Sequence, residues 1–154
     1  MDNKTLPLDY ANSLIYELEK AFWDERGKGA RFRLTTVGRD FLKAKCLPLI
    51  QSSDPDHIIR VIASVLATEG VASQVTYSQE ERLFRVQVQS CLHRLVEERM
   101  IACGIEPMAC LPANLIVLAL EEKLDLPVEL AEVKLVDGAC QLLLIVFDKK
   151  PSLD

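Results

Sequence analysis

The dipeptide Asp137-Gly138 stands between two apolar runs, residues 128–136 and 139–147. Asp-Gly supplies the positive-φ positions of a tight primed turn and is among the strongest short-range hairpin signals. A chain carrying this hairpin must bury one of its faces. The cover lies just upstream. Residues 112–124 read as a helix with almost no polar side, running through Leu115, Ile116, Val117, Leu118 and Leu120. A helix that is apolar all round belongs at the centre of a fold. Leu126-Pro127 joins it to the hairpin.

A second period-two stretch lies earlier. Val71, Ser73, Val75 and Tyr77 alternate with Ala72, Gln74 and Thr76, and residues 78–82 read as a polar turn. Phe84, Val86 and Val88 then alternate with Arg85, Gln87 and Gln89. This predicts an antiparallel hairpin with one buried face. Helices account for the remainder. Tyr10, Leu14, Leu18 and Phe22 recur every fourth residue over 9–26, and Gly27-Lys28-Gly29 ends the run. Thr36 is expected to cap a helix containing Val37, Phe41 and Leu42, closed by Pro48. Asp54-Pro55 opens another, with Ile58, Ile59, Ile62, Val65 and Leu66 as its apolar face and Gly70 as its stop. Residues 91–100 read as helical, with Glu97 and Glu98 on a polar side.

The order is helices, hairpin, helices, hairpin. It predicts an α+β fold in which an antiparallel sheet built from two hairpins packs against several helices. The 154 residues suit a single domain. It comprises N-terminal helices over 9–50, a core over 54–147 and a frayed tail over 148–154.

Composition excludes several functions. Lys and Arg number 18 against 23 Asp and Glu, a formal net charge of −5. That balance disfavours nucleic acid as a partner. Residues 29–39 resemble the wing and following helix of a winged-helix protein, but too few helices precede them for that fold. Their basic cluster, Lys28, Arg31, Arg33 and Arg39, suits an acidic partner or a phosphate group instead. The longest apolar runs, 115–120 and 142–147, fall far short of the roughly 20 residues of a membrane span. The first ten residues are polar and do not read as a secretory signal, so a cytoplasmic location is expected. The five cysteines agree with that. Their number is odd and no C-x-x-C pair occurs, which points to reduced thiols rather than a disulfide framework.

The last third of the chain resembles a known family. Residues 91–98 (Cys-Leu-His-Arg-Leu-Val-Glu-Glu) are followed by Cys110 and the apolar helix. Then come residues 124–129 (Leu-Asp-Leu-Pro-Val-Glu), Glu132, Asp137-Gly138 and Cys140. This pattern resembles the 4-vinyl-reductase domain family and the related C-terminal sensor domains of some bacterial transcription regulators. With the helix–strand unit over 54–77 included, the likeness covers about residues 54–147. It implies an α+β fold shared with small subunits of vesicle-tethering complexes, a homodimer, and a small apolar or tetrapyrrole-like ligand. It also implies, for some members, zinc or an iron–sulfur cluster held by cysteines. By position, Cys110 and Cys140 match family cysteines, Cys91 an upstream one in the regulator branch, and Glu132 the family glutamate. Leu135 stands where many members carry a further cysteine.

Two candidate sites follow. Cys91, His93, Cys110 and Cys140 form a candidate metal set, with Cys103 and Glu132 in reserve. Zinc takes tetrahedral nitrogen and sulfur ligands, and clusters take mainly thiolates. Two positions apart on a helix, Cys91 and His93 would point in opposed directions, so they share a metal only if Cys91 precedes the helix. The competing reading makes the thiols small buried hydrophobes. Phe84, Val86, Leu115, Leu118 and Ile145 are the candidate lining of an apolar pocket between sheet and central helix. The competing reading there is an ordinary filled core. Tyr16, Phe22 and Trp23 are candidates for a dimer interface.

No phosphate loop, nucleophile elbow or paired-His motif is present. The function expected is therefore a non-enzymatic domain that holds a small apolar or tetrapyrrole-like molecule, or docks on a partner protein as an assembly or regulatory factor. The alternatives are a cysteine-ligated metal or iron–sulfur redox sensor and a reductase of tetrapyrrole vinyl groups.

Overall fold

The computed structural model describes residues 5–107 and 109–148. The tail beyond residue 148 lies outside them. In chain order the elements are α1 (Leu8–Arg26), α2 (Ala30–Arg33), α3 (Arg39–Phe41), α4 (Pro55–Thr68), β1 (Gln74–Glu80), β2 (Leu83–Gln89), α5 (Arg94–Ala102), α6 (Leu111–Leu124), β3 (Val128–Val136) and β4 (Ala139–Val146). The strands form one antiparallel sheet in the order β1-β2-β4-β3. The architecture is α+β with both expected hairpins, except that Ser78, Gln79 and Glu80 extend β1 and leave only Glu81-Arg82 as the first turn.

Local chemistry accounts for most boundaries. The Asp54 side chain accepts from the Asp56 amide, and Pro55 occupies the first turn of α4. At the other end the Val71 amide donates to the Leu66 carbonyl at 2.8 Å and the Gly70 amide to that of Ala67 at 3.2 Å. With Gly70 at φ +74, this is the Schellman closure expected of a glycine stop. It also tucks Val71 and Ala72 into the core, so β1 begins at Gln74 rather than Val71. Asp137 and Gly138 both take positive φ, 50° and 79°, and bring Val136 opposite Ala139.

Phe84, Val86 and Val88 of β2 and Cys140, Leu142 and Leu144 of β4 line the inner sheet face. α4 and α6 pack on that face, and α6 is buried from Pro112 to Leu120. The register of β3 shifts between Leu130 and Glu132. Such a bulge inserts one residue and changes which face the following side chains take. Leu130 and Val133 face inward opposite Leu144 and Leu142, while Glu132 pairs with Leu143 on the outer face.

Two helical expectations need correction. α1 does not turn Tyr10, Leu14 and Leu18 inward; Tyr10 and Leu18 are 60% and 63% exposed. Steps of four residues advance a helix face by about 40° each, so this stripe drifts around the helix and only its end, Phe22, packs. The inward face holds Asn12, Tyr16 and Trp23 instead, against Val96 and Met100 of α5. Tyr16, Phe22 and Trp23 thus pack within the chain. The second correction concerns Thr36, which caps no helix: Gly38, at φ +104, precedes α3.

Candidate functional site

The helix at the centre of the core carries one buried polar side chain. Asn114 donates both amide hydrogens of its side chain, to the carbonyls of Leu34 and Val37, each at 3.0 Å. This pins the segment between α2 and α3 onto α6. Gly38 then crosses α6 so closely that a β-carbon would stand 2.7 Å from Leu111 Cδ1. Positive φ and this approach both call for glycine. On the other side the Arg31 guanidinium donates to the Leu130 carbonyl on β3. The segment is therefore fastened to helix and sheet, and a space of about 240 Å³ remains beneath it.

That cleft has an apolar floor of Val117, Leu118, Val128 and Leu130. Phe32, 77% exposed, stands over it with Thr35 and Thr36. Arg31, Arg39, Glu121 and Glu129 ring it. Glu121 is partly committed, since its Oε1 accepts from the Val128 amide at 3.2 Å across the α6–β3 junction. A wider groove of about 420 Å³ lies on the outer sheet face; Thr76, Ser78, Arg85, Gln87, Glu132 and Lys134 make about half of its lining polar, more than in the cleft.

Of the pocket residues expected from sequence, only Leu118 lines the cleft. Phe84, Val86 and Leu115 are fully packed in the core. Phe84 stacks on Tyr77 at 6.0 Å between ring centres. Ile145 lies on the opposite sheet face, paired with Leu83. Alternation along β4 places it there, because its neighbours Leu144 and Val146 point inward.

The cysteines behave differently. Cys91, Cys110 and Cys140 are buried and gather around Glu97 of α5, itself only 3% exposed. The Cys140 thiol donates to Glu97 Oε2 at 2.9 Å. Burial pushes the Glu97 carboxyl above its ordinary range, while hydrogen bonds from Cys140 and Cys110 oppose that rise. Burial, then the Glu97 charge, pushes the Cys110 and Cys140 thiols well up. The Cys91 thiol is raised by burial, and Glu97 adds to the rise. The three thiols hold their protons and gather beside the Glu97 carboxyl in one buried network. The sequence reading of Glu97 as a solvated surface residue is overturned by its place between Val96 and Met100 on the buried side of α5.

The other expected ligands stand apart. Cys91 does precede the helix, yet His93 turns away and its Nδ1 lies 3.1 Å from Asn12 Oδ1. Glu132 faces outward beside Lys134, at 2.9 Å. Cys103 is exposed, 3.1 Å from the Tyr16 hydroxyl. Among the described residues no group of three or more His, Cys, Asp or Glu side chains is arranged to hold a metal ion.

Sequence reasoning missed Asn114 and Glu97. Asn114 was visible as the lone polar residue in an apolar run. Glu97 had no signal of its own, because its neighbour Glu98 is exposed and chemically the same.

No protein-family model and no curated protein matches the chain. The likeness to 4-vinyl-reductase domains therefore rests on the residues quoted for it. No helix among the described residues is long and apolar enough to cross a membrane.

Proposed function

We propose that this chain is a non-enzymatic small-molecule-binding domain whose ligand lies in the cleft over Leu118. One observation carries the reading: an apolar floor on α6 and β3 is roofed by a segment tied down through Asn114 and Arg31. Ligand sites join apolar walls to a few placed polar groups on a largely preformed frame. The space lies below the common range of about 300–1,000 Å³. It suits a one- or two-ring molecule, or one edge of something larger. A whole tetrapyrrole would leave most of its ring outside, so the tetrapyrrole version becomes binding by an edge. A ligand here touches the α2–α3 segment, which is how occupancy would reach a partner. The exposed α1 side chains Tyr10, Leu14 and Leu18 are the apolar surface available to that partner or to a second copy.

The test is a fluorescence titration with a neutral bicyclic probe, 2-naphthylmethanol. Leu118→Trp fills the floor and is expected to weaken binding at least tenfold with the fold retained by circular dichroism. Undiminished binding by that variant would place the ligand elsewhere.

A second reading is favoured by the gathering of Cys91, Cys110 and Cys140 around Glu97. Three thiols and a carboxyl are donor types that zinc accepts. Among the described residues these groups are not arranged to hold a metal ion, and the Cys140–Glu97 contact is a hydrogen bond. The ligand-binding proposal runs through no metal. Elemental analysis after oxygen-free purification separates the readings. Stoichiometric zinc or iron that disappears in Cys140→Ser would establish the metal site. Metal-free protein is the result expected of a hydrogen-bonded core.

A further inference from the structure

We infer that the ligand of this cleft is an organic anion, an apolar ring system bearing a carboxylate, and that Arg39 is its charge partner. The inference rests on the proposed cleft and names what the cleft selects. It starts from the distribution of charge. The chain is acidic overall, yet residues 28–45 contain Lys28, Arg31, Arg33, Arg39, Lys43 and Lys45 against the single acid Asp40. Arg31 and Arg39 of this basic stretch line the cleft, Lys43 lines the hollow beside it, and Lys45 pairs with Glu69 at 3.4 Å.

The cations elsewhere mostly have partners. Arg60 pairs with Asp56 at 2.6 Å, Arg94 with Glu98 at 3.2 Å and Lys20 with Asp24 at 2.8 Å. Among the described residues no such ion pair holds Arg31, Arg33 or Arg39. Arg31 is committed to the Leu130 carbonyl. Arg39 is exposed at the rim, and it also lines an adjoining hollow with Lys43 and Leu118. A guanidinium beside an apolar floor presents a planar fork of donors that matches a carboxylate.

The acids around the cleft set the orientation. Glu121 already accepts from the Val128 amide, and Glu122 lies beyond it in the adjoining hollow. Glu129 stands on the β3 side of the mouth. Glu129 repels an anionic group from the β3 side, while Arg39 and Lys43 offset Glu121 and Glu122 on the other and draw the anion to Arg39, leaving the ring over Leu118 and Val117.

A matched pair of probes tests this: 2-naphthoate and neutral 2-naphthylmethanol, titrated by fluorescence at low salt against the full chain. The wild type is expected to bind naphthoate about three- to fivefold more tightly, the factor of a solvent-exposed ion pair. Added salt should weaken naphthoate alone. Arg39→Ala, at an exposed position, should bring the two probes within about twofold, and Glu129→Gln should tighten naphthoate only. Equal affinities in the wild type, or a preference that survives Arg39→Ala, overturn the anion assignment and leave the cleft standing. Failure of both probes to bind the wild type removes the site itself.

Discussion

Asn114 and Gly38 show how much of the proposed site depends on single residues. Asn114 answers two backbone carbonyls, those of Leu34 and Val37, from the middle of the apolar helix. Asn114→Ala leaves the Val37 carbonyl without this donor and the Leu34 carbonyl with only the Val37 amide, a loss of about 1–3 kcal/mol. Gly38→Ala meets a disfavoured φ and a side chain on α6 that must move, a cost on the order of 1–3 kcal/mol. Urea unfolding should show both losses, and both variants should also weaken probe binding, because they loosen the roof and leave the floor intact. Full stability in Asn114→Ala would mean that the segment is held by other contacts. At this scale the sequence was a partial guide. It marked Leu118 and the three cysteines, but it could not tell a core phenylalanine from a pocket phenylalanine. Phe84 and Leu118 are alike as letters and differ only in what packs across from them.

Among the elements, α1 is the one whose docking is chemically conditional. It leans on the turn before α5 through Asn12, which donates to the Leu92 carbonyl at 2.8 Å, and on α5 through Tyr16, whose ring lies 3.9 Å from the Arg99 guanidinium. Between them Glu19 is pushed up to about 7, first by burial and then by the nearby Glu97 charge. A carboxyl raised on folding adds stability that is complete below its ordinary pKa near 4.5 and is lost as pH rises through about 7. Stability should therefore fall between about pH 5 and pH 8. Glu19→Gln should flatten that fall and gain about 1 kcal/mol at pH 8 once solvent screening is allowed for. Thermal melts across this range measure it. Melts of the two proteins that stay parallel would show that Glu19 titrates normally. Strands, α4 and α6 were legible because turn chemistry and period fix them locally. The facing of α1 was not, since a four-residue repeat drifts on a helix and polar anchors such as Asn12 decided which side turned in.

For the whole molecule, one sheet face and two helices make a filled core, and the open space lies beside that core under a basic segment. The α+β architecture was readable from the order of hairpins and helices. The cleft was not, because it joins residues 31–39 to residues 114–130 through a carbonyl-binding asparagine and a close glycine crossing that carry no shared sequence pattern. The cysteine cluster and the cleft are separate features, and the account assigns the ligand to the cleft alone. Heteronuclear NMR with methyl-labelled leucine and valine during titration with 2-naphthylmethanol tests this most directly. Saturable shifts are expected at Leu118, Val117, Val128 and Leu130, with Val86 and Leu142 unmoved. Shifts concentrated on those core methyls, or none at the cleft at saturation, would contradict it.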